Sequence, residues 1–141
     1  MKKILLSLIT FFGAVFLGGF VNMGIITLGG QLVPPPAGVN PADVNSIAES
    51  MHLYGPIHFI SPFLAHAVGT FVGAYLVARF APQFKLVLAL MVGGLFLIGG
   101  VMMVMMLPSP IWFNVLDLGV AYIPMGYLWW WLNQPKTETV N

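Results

Sequence analysis

Along this chain the polar positions gather between segments and the apolar ones fill them. Uncharged stretches run from Ile4 to Ala42, from Ser50 to Ala78, from Leu86 to Leu116 and from Leu118 to Pro135. Each can hold the roughly 20 apolar residues that cross a bilayer as a helix. The runs are continuously apolar and lack the in-out alternation of a membrane β-barrel strand. They predict an all-α integral membrane protein with four transmembrane helices in a bundle, near residues 4–32, 57–79, 86–107 and 111–132 of a single domain covering 1–141.

The connection at 33–56 carries its own pattern. Asn40-Pro41-Ala42-Asp43 reads as an N-cap, a proline at the first helical position and an acid in the first turn, and Gly55-Pro56 reads as a stop. Val44, Ile47, Ala48 and Met51 then follow helical spacing, which predicts a short amphipathic helix over 41–53. Its apolar stripe can lie on the outer membrane surface or on the bundle, with Asn45, Ser46 and Glu49 in water. Pro62 and Pro124 each remove a backbone hydrogen bond and predict kinks in the second and fourth spans.

Composition supports a lipid setting. Charged residues are 6% of the chain and hydrophobic ones 59%, against roughly 25% charged in soluble domains. The absence of cysteine excludes disulfides and thiolate metal sites. Lys2-Lys3 followed by an apolar run resembles a signal peptide, but the run outlasts the usual apolar region of about 7–15 residues, so an uncleaved first span is expected. Lys2, Lys3, Arg79, Lys85 and Lys136 all fall on one side of the predicted spans. By the positive-inside rule that side is cytoplasmic, which predicts a bacterial inner-membrane protein with both termini inside and the 33–56 loop and the Pro108-Ser109-Pro110 turn outside. Trp129, Trp130 and Trp131 then form an inner aromatic belt, with Tyr54, Phe59 and Trp112 near the outer one.

A weak internal repeat adds a possible organisation. The segment from Lys3 to Gly18-Gly19 aligns, after one gap, with that from Lys85 to Gly99-Gly100, and each first span leaves through a proline cluster. Two parallel helical hairpins would follow the repeat logic of some transporters.

Candidate chemistry starts from charge. Of the five basic and four acidic side chains, Asp117 alone lies inside a span. At 1.5 Å per residue it sits roughly 9–10 Å from the outer surface, with His66 at roughly 14 Å and Asn22 at roughly 15 Å. Intramembrane ionisable groups normally turn inward and pair, so an interior cluster of Asn22, His66 and Asp117 is expected. Asn114 lies one turn outside Asp117, and Thr70 one turn inside His66. Gly18 and the Ala65, Gly69, Gly73 series supply small residues for close helix packing.

A metal site is a further candidate. Glu49 and His52 have the Glu-x-x-His spacing of carboxylate metal sites, and His58 and His66 follow within fifteen residues of His52. Met102 and Met106 form a Met-x-x-x-Met pair, and over those five residues the chain resembles the motif of eukaryotic-type copper uptake channels. Thioethers and imidazoles suit copper, and imidazoles also suit zinc and iron. These would be the metals held; the sequence itself predicts no cofactor.

No nucleotide loop, nucleophile–base pair or basic nucleic-acid patch is present in the sequence. Three readings follow. The sequence favours a non-catalytic protein, acting as a homo-oligomer or as an accessory subunit of a larger membrane complex. The second reading is an oligomeric transporter or channel for protons, metal ions or a small molecule, with Asp117 and His66 as the working pair. The third is a membrane metal or redox protein built on the outer-side histidines.

Overall fold

The computed structural model describes residues 1–132, and over these it is helical with no strand. Its helices are α1 (Lys2–Leu32), α2 (Val44–Glu49), α3 (Ile60–Phe80), α4 (Lys85–Met106), α5 (Ile111–Val120) and α6 (Ile123–Leu132). Two 3₁₀ turns, Met51–Leu53 and Pro56–Phe59, join α2 to α3. Four helical segments are long and apolar enough to cross a membrane: Lys2–Leu32, Pro56–Phe80, Lys85–Met106 and Ile111–Leu132. Lys136, one of the five residues used for orientation, lies outside the described residues.

Helix faces follow from side-chain size. In α1 the buried positions Ser7, Phe11, Ala14 and Gly18 recur at helical spacing and face the interior. On another face Phe12, Phe16 and Phe20 are 67%, 73% and 72% exposed and form a continuous aromatic ridge.

Central to the fold is α3, which packs against α1, α4, α5 and α6. Glycine sets its approach to α1. A Cβ added at Gly69 would lie 2.8 Å from the Gly18 carbonyl oxygen, and one at Gly18 would lie 2.7 Å from that of Gly69. At Gly73 an added Cβ would meet Val92 Cγ1 at 2.8 Å. These are the small positions singled out from the sequence, and Ala65 beside them is fully buried. The second hairpin closes in the same manner, since a Cβ at Gly126 would lie 3.0 Å from the Ala89 carbonyl oxygen. Small residues thus let the helix backbones approach closely.

The two ends of the molecule differ. Near the basic ends of the helices, Phe11, Ala14, Val77, Ala81, Leu88 and Val92 form one apolar core. Ser7 Oγ accepts a hydrogen bond from the Gln83 N–H at 3.2 Å, tying the start of α1 to the α3–α4 turn. At the other end Met51, Phe59 and Phe113 form a separate cluster, with Ile47, Tyr54, Phe63 and Leu107 packed on it. The stripe of the short helix therefore rests on the protein at Ile47 and Met51.

Several local expectations are corrected. The short α-helix spans Val44–Glu49 and is N-capped by Asp43, whose carboxylate accepts from the Asn45 N–H at 2.9 Å. Asn40 is not the cap: its Oδ1 accepts from the Ala42 N–H at 3.0 Å in a turn of its own. An Asx turn at Asn40 competes with helix initiation there, so α2 starts later than 41 and gives way to a 3₁₀ turn by Met51. In the second span the irregularity precedes Pro62, as a 3₁₀ turn ending at Phe59, and α3 then runs unbroken past His66. Pro62 falls in the first turn of α3, where N–H groups lack helical partners anyway. In the fourth span the helical hydrogen bonding lapses at Ala121-Tyr122, where the kink is expected, while Ala121 keeps helical dihedrals and its N–H bonds the Asp117 carbonyl at 3.0 Å. Pro124 offers no N–H to the Val120 carbonyl, so the ladder between α5 and α6 lapses there and resumes with the Gly126 N–H on the Tyr122 carbonyl at 3.0 Å. The aligned glycine pairs do not play matching parts either: Gly18 and Gly100 are crowded by neighbours, whereas Gly19 and Gly99 face open space.

Candidate functional site

His66 projects from α3 one turn beyond Pro62, and Asp117 from α5 one turn before the helix break. His66 Nδ1 lies 2.8 Å from Asp117 Oδ1 and 2.9 Å from Oδ2, within bonding distance of both carboxylate oxygens. From the far side of the break, the Tyr122 hydroxyl donates to Asp117 Oδ2 at 3.0 Å. The Tyr122 ring also stacks on the His66 imidazole, with centroids 5.5 Å apart and planes 30° apart. Asp117 is 2% exposed and is thus held by two donors on two elements.

With Asp117 as a carboxylate, which only accepts, Nδ1 is the donating nitrogen of His66. Nε2 makes no hydrogen bond to any described residue, and the side chain is 19% exposed. That exposure is explained by two cavities. One, of about 280 Å³, reaches His66 and Asp117 from the end carrying the short helix, and Tyr54, His58, Ser61, Phe113 and Asn114 are among its walls. The second, of about 430 Å³, is a more open groove lined by Asn22, His66, Met102, Met106 and Tyr122, among others. His66 belongs to the wall of both.

The remaining polar positions sort by what they touch. Asn114 lines the first cavity and its Nδ2 donates to the Ser109 carbonyl at 3.3 Å, while its Oδ1 is closed off from solvent with no partner among the described residues. Asn22 packs against Gly69 and lines the groove, but no hydrogen bond joins it to His66 or Asp117. Thr70 is fully buried with its hydroxyl unpartnered, and it lines neither cavity. The expected cluster thus divides: His66 and Asp117 bond, Asn114 shares their cavity, and Asn22 and Thr70 stand apart.

The outer histidines do not assemble. His52 Nδ1 meets the Glu49 carbonyl at 3.1 Å, and His58 Nδ1 accepts from the Gly55 N–H at 3.1 Å; both contacts close local turns. Among the described residues no group of three or more His, Asp or Glu side chains could hold a metal ion. Glu49, His52, His58 and His66 thus form no such group among the described residues: a 3₁₀ turn begins directly after Ser50, and Nδ1 of His52 and of His58 each meets the backbone. Met102 and Met106 do share a wall with His66, in the open groove.

Tyr122 is the site residue that sequence reasoning missed. In an unbroken helix, a residue five positions after Asp117 points well away from it, because successive residues turn about 100°. Tyr122 stands at the interruption of the helix and meets Asp117 there, and Pro124 was the available signal for that interruption. At the first cavity's mouth, burial pushes the Tyr54 phenol up from its usual range, so it stays neutral there. No lysine or arginine among the described residues lines that cavity.

Comparison of the chain with protein-family models, with curated proteins and with solved structures gives no match.

Proposed function

We propose that this chain is a multi-pass protein of the bacterial inner membrane, a four-helix bundle with both termini cytoplasmic, that moves a proton or a small cation through the His66–Asp117 pair. One observation carries the reading: His66 bonds Asp117 while forming part of the wall of two cavities. A pair that served only as packing between helices would need no such access. The charge environment agrees. Asp117 lies near the C-terminal, negative end of a half-helix, and discontinuous helices of this kind are where transporters coordinate cations.

The apolar core at the basic end closes the molecule below the pair, whereas the first cavity opens toward the opposite end. Passage would require the hairpins α1–α3 and α4–α6 to part at that core, with the Ala121-Tyr122 break as the natural hinge. One unit of four spans is small for a pathway, so a homo-oligomer, or a place within a larger membrane complex, belongs to the proposal. The lipid bilayer would cover the Phe12, Phe16, Phe20 ridge.

The test is ion movement into vesicles. Purified protein reconstituted with an internal pH-sensitive dye should dissipate an imposed proton gradient, and Asp117→Asn and His66→Gln should fall to the leak of protein-free vesicles. Wild-type protein indistinguishable from protein-free vesicles, for protons and for monovalent and divalent cations, would refute the transport reading.

A further inference from the structure

Polar side chains in the body of α1 are satisfied one by one, with a single exception. Ser7 bonds Gln83, and the Thr10 and Thr27 hydroxyls donate to the carbonyls four residues back, those of Leu6 and Met23, each at 2.8 Å. The Asn22 amide has no hydrogen-bond partner among the described residues. Its side chain is half-buried, and neither amide atom is closed off from the surface as Asn114 Oδ1 and Thr70 Oγ1 are. It lines the open groove and not the first cavity.

That groove opens sideways. Helix α1 packs mainly on α3 and barely touches α4, which leaves a cleft walled by mid-helix residues of α1 and α4. Leu95, Met102 and Met106 are exposed along it. In a bilayer such a cleft faces acyl chains, and Asn22 stands roughly 15 Å from the outer surface, beyond the reach of head groups. Acyl chains neither donate nor accept, and an amide left unpaired in hydrocarbon is costly.

A side-chain amide is both donor and acceptor, so a second copy of the same residue answers it completely. Copies related by a two-fold axis present the same patch to each other, and their Asn22 amides can pair reciprocally. The surface suits a close approach. Gly19, one turn before Asn22, and Gly99, on the facing wall, both line the groove, and a Cβ added at either would meet nothing within 4 Å. Packing within one chain thus leaves the space beside them free, and small residues are what let membrane helices come together closely.

We infer that the α1–α4 groove is the interface of a two-fold homodimer, in which the Asn22 amides of two copies bond one another and each α1 lies against Gly19 and Gly99 of the other copy. The inference rests on reading the chain as a multi-pass membrane protein, and it names the partner of the His66–Asp117 site. His66 and Tyr122 belong to the wall of the same groove. The second copy therefore covers the pair on that side and leaves the first cavity as the way in.

Because the chain has no cysteine, single substitutions report the interface through disulfide cross-linking of the full chain in lipid vesicles at falling protein-to-lipid ratios. On oxidation, Gly19→Cys should give a dimer at ratios where Gly24→Cys stays monomeric. Gly24 has equally open surroundings but lines neither cavity, and it stands well round the helix from Gly19. Adding Asn22→Ala to Gly19→Cys should weaken self-association roughly fivefold to thirtyfold, the range for hydrogen bonds between model membrane helices. If Asn22→Ala fails to fold, the contrast between Gly19→Cys and Gly24→Cys decides the question. Equal cross-linking at the two positions overturns the inference, as does an Asn22→Ala variant that associates as well as its parent. A Gly19→Cys protein that stays monomeric at every ratio would mean that lipid or water fills the groove, and it too overturns the inference. A dimer without ion flux would sink the transport reading alone, and ion flux from a monomer would sink this inference alone.

Discussion

Tyr122 and Asp117 belong to different helices of one broken span, and the Tyr122 hydroxyl donates to Asp117 Oδ2 at 3.0 Å across the break. The same ring stacks on His66, so one residue holds both members of the pair. Tyr122→Phe keeps the stack and removes the donor. The expected loss of stability is about 0.6–1.7 kcal/mol, the range for polar contacts between transmembrane helices. Denaturant titration in detergent measures it, and unchanged stability together with unchanged flux would refute the role given to the hydroxyl.

Gly100 makes room for that hydroxyl. A Cβ added there would meet the Tyr122 oxygen and approach Cζ at 2.7 Å, whereas a Cβ at neighbouring Gly99 meets nothing within 4 Å. Gly100→Ala should therefore cost about 1–3 kcal/mol as overpacking and disturb the Asp117 contact. Gly99→Ala should be neutral, or stabilise by about 0.5–1 kcal/mol through lost chain entropy. Because Phe lacks the crowded oxygen, Gly100→Ala should cost less in a Tyr122→Phe background than in wild type. A double-mutant cycle with zero coupling would contradict this geometry.

The α1–α3 crossing gives a second matched pair. Gly69→Ala would drive a Cβ to 2.8 Å from the Gly18 carbonyl and 2.9 Å from Asn22 Cβ, but Gly19 faces open space. Backbone cannot yield as a flexible side chain can, so Gly69→Ala should lower stability by about 1–3 kcal/mol. Gly19→Ala should leave it unchanged or slightly higher. Equal effects at the two positions in the same denaturation assay would mean that the helices do not cross at Gly69.

Much of the helical layout was legible in the sequence because length and continuous apolarity are segment-scale signals that survive any local detail. The meeting of His66 and Asp117 was legible too, since buried ionisable side chains on different spans at similar depth have few other partners. What escaped was local backbone geometry. Asn40 reads as a helix cap but forms its own Asx turn, leaving Asp43 to cap α2. Glu49 and His52 have a helical metal spacing, yet the chain turns 3₁₀ between them and the spacing loses its meaning. Pro124 reads as a kink, but a kink alone does not say that Tyr122 would meet Asp117. Depth alone placed Asn22 with the pair; the close α1–α3 packing at Gly69 holds it against α3, in the wall of the groove.

The central claim is that the His66–Asp117 pair is reached from the short-helix end and sealed from the basic end. The chain has no cysteine, so single substitutions report access without background. In sealed vesicles of known orientation, Asn114→Cys should react with a membrane-impermeant thiol reagent applied on the short-helix side. It should stay unreactive to the same reagent applied on the basic side, and Val77→Cys in the apolar core should be unreactive from both. Asn114→Cys that is inert from the short-helix side, or labelled as fast from the basic side, would contradict the account.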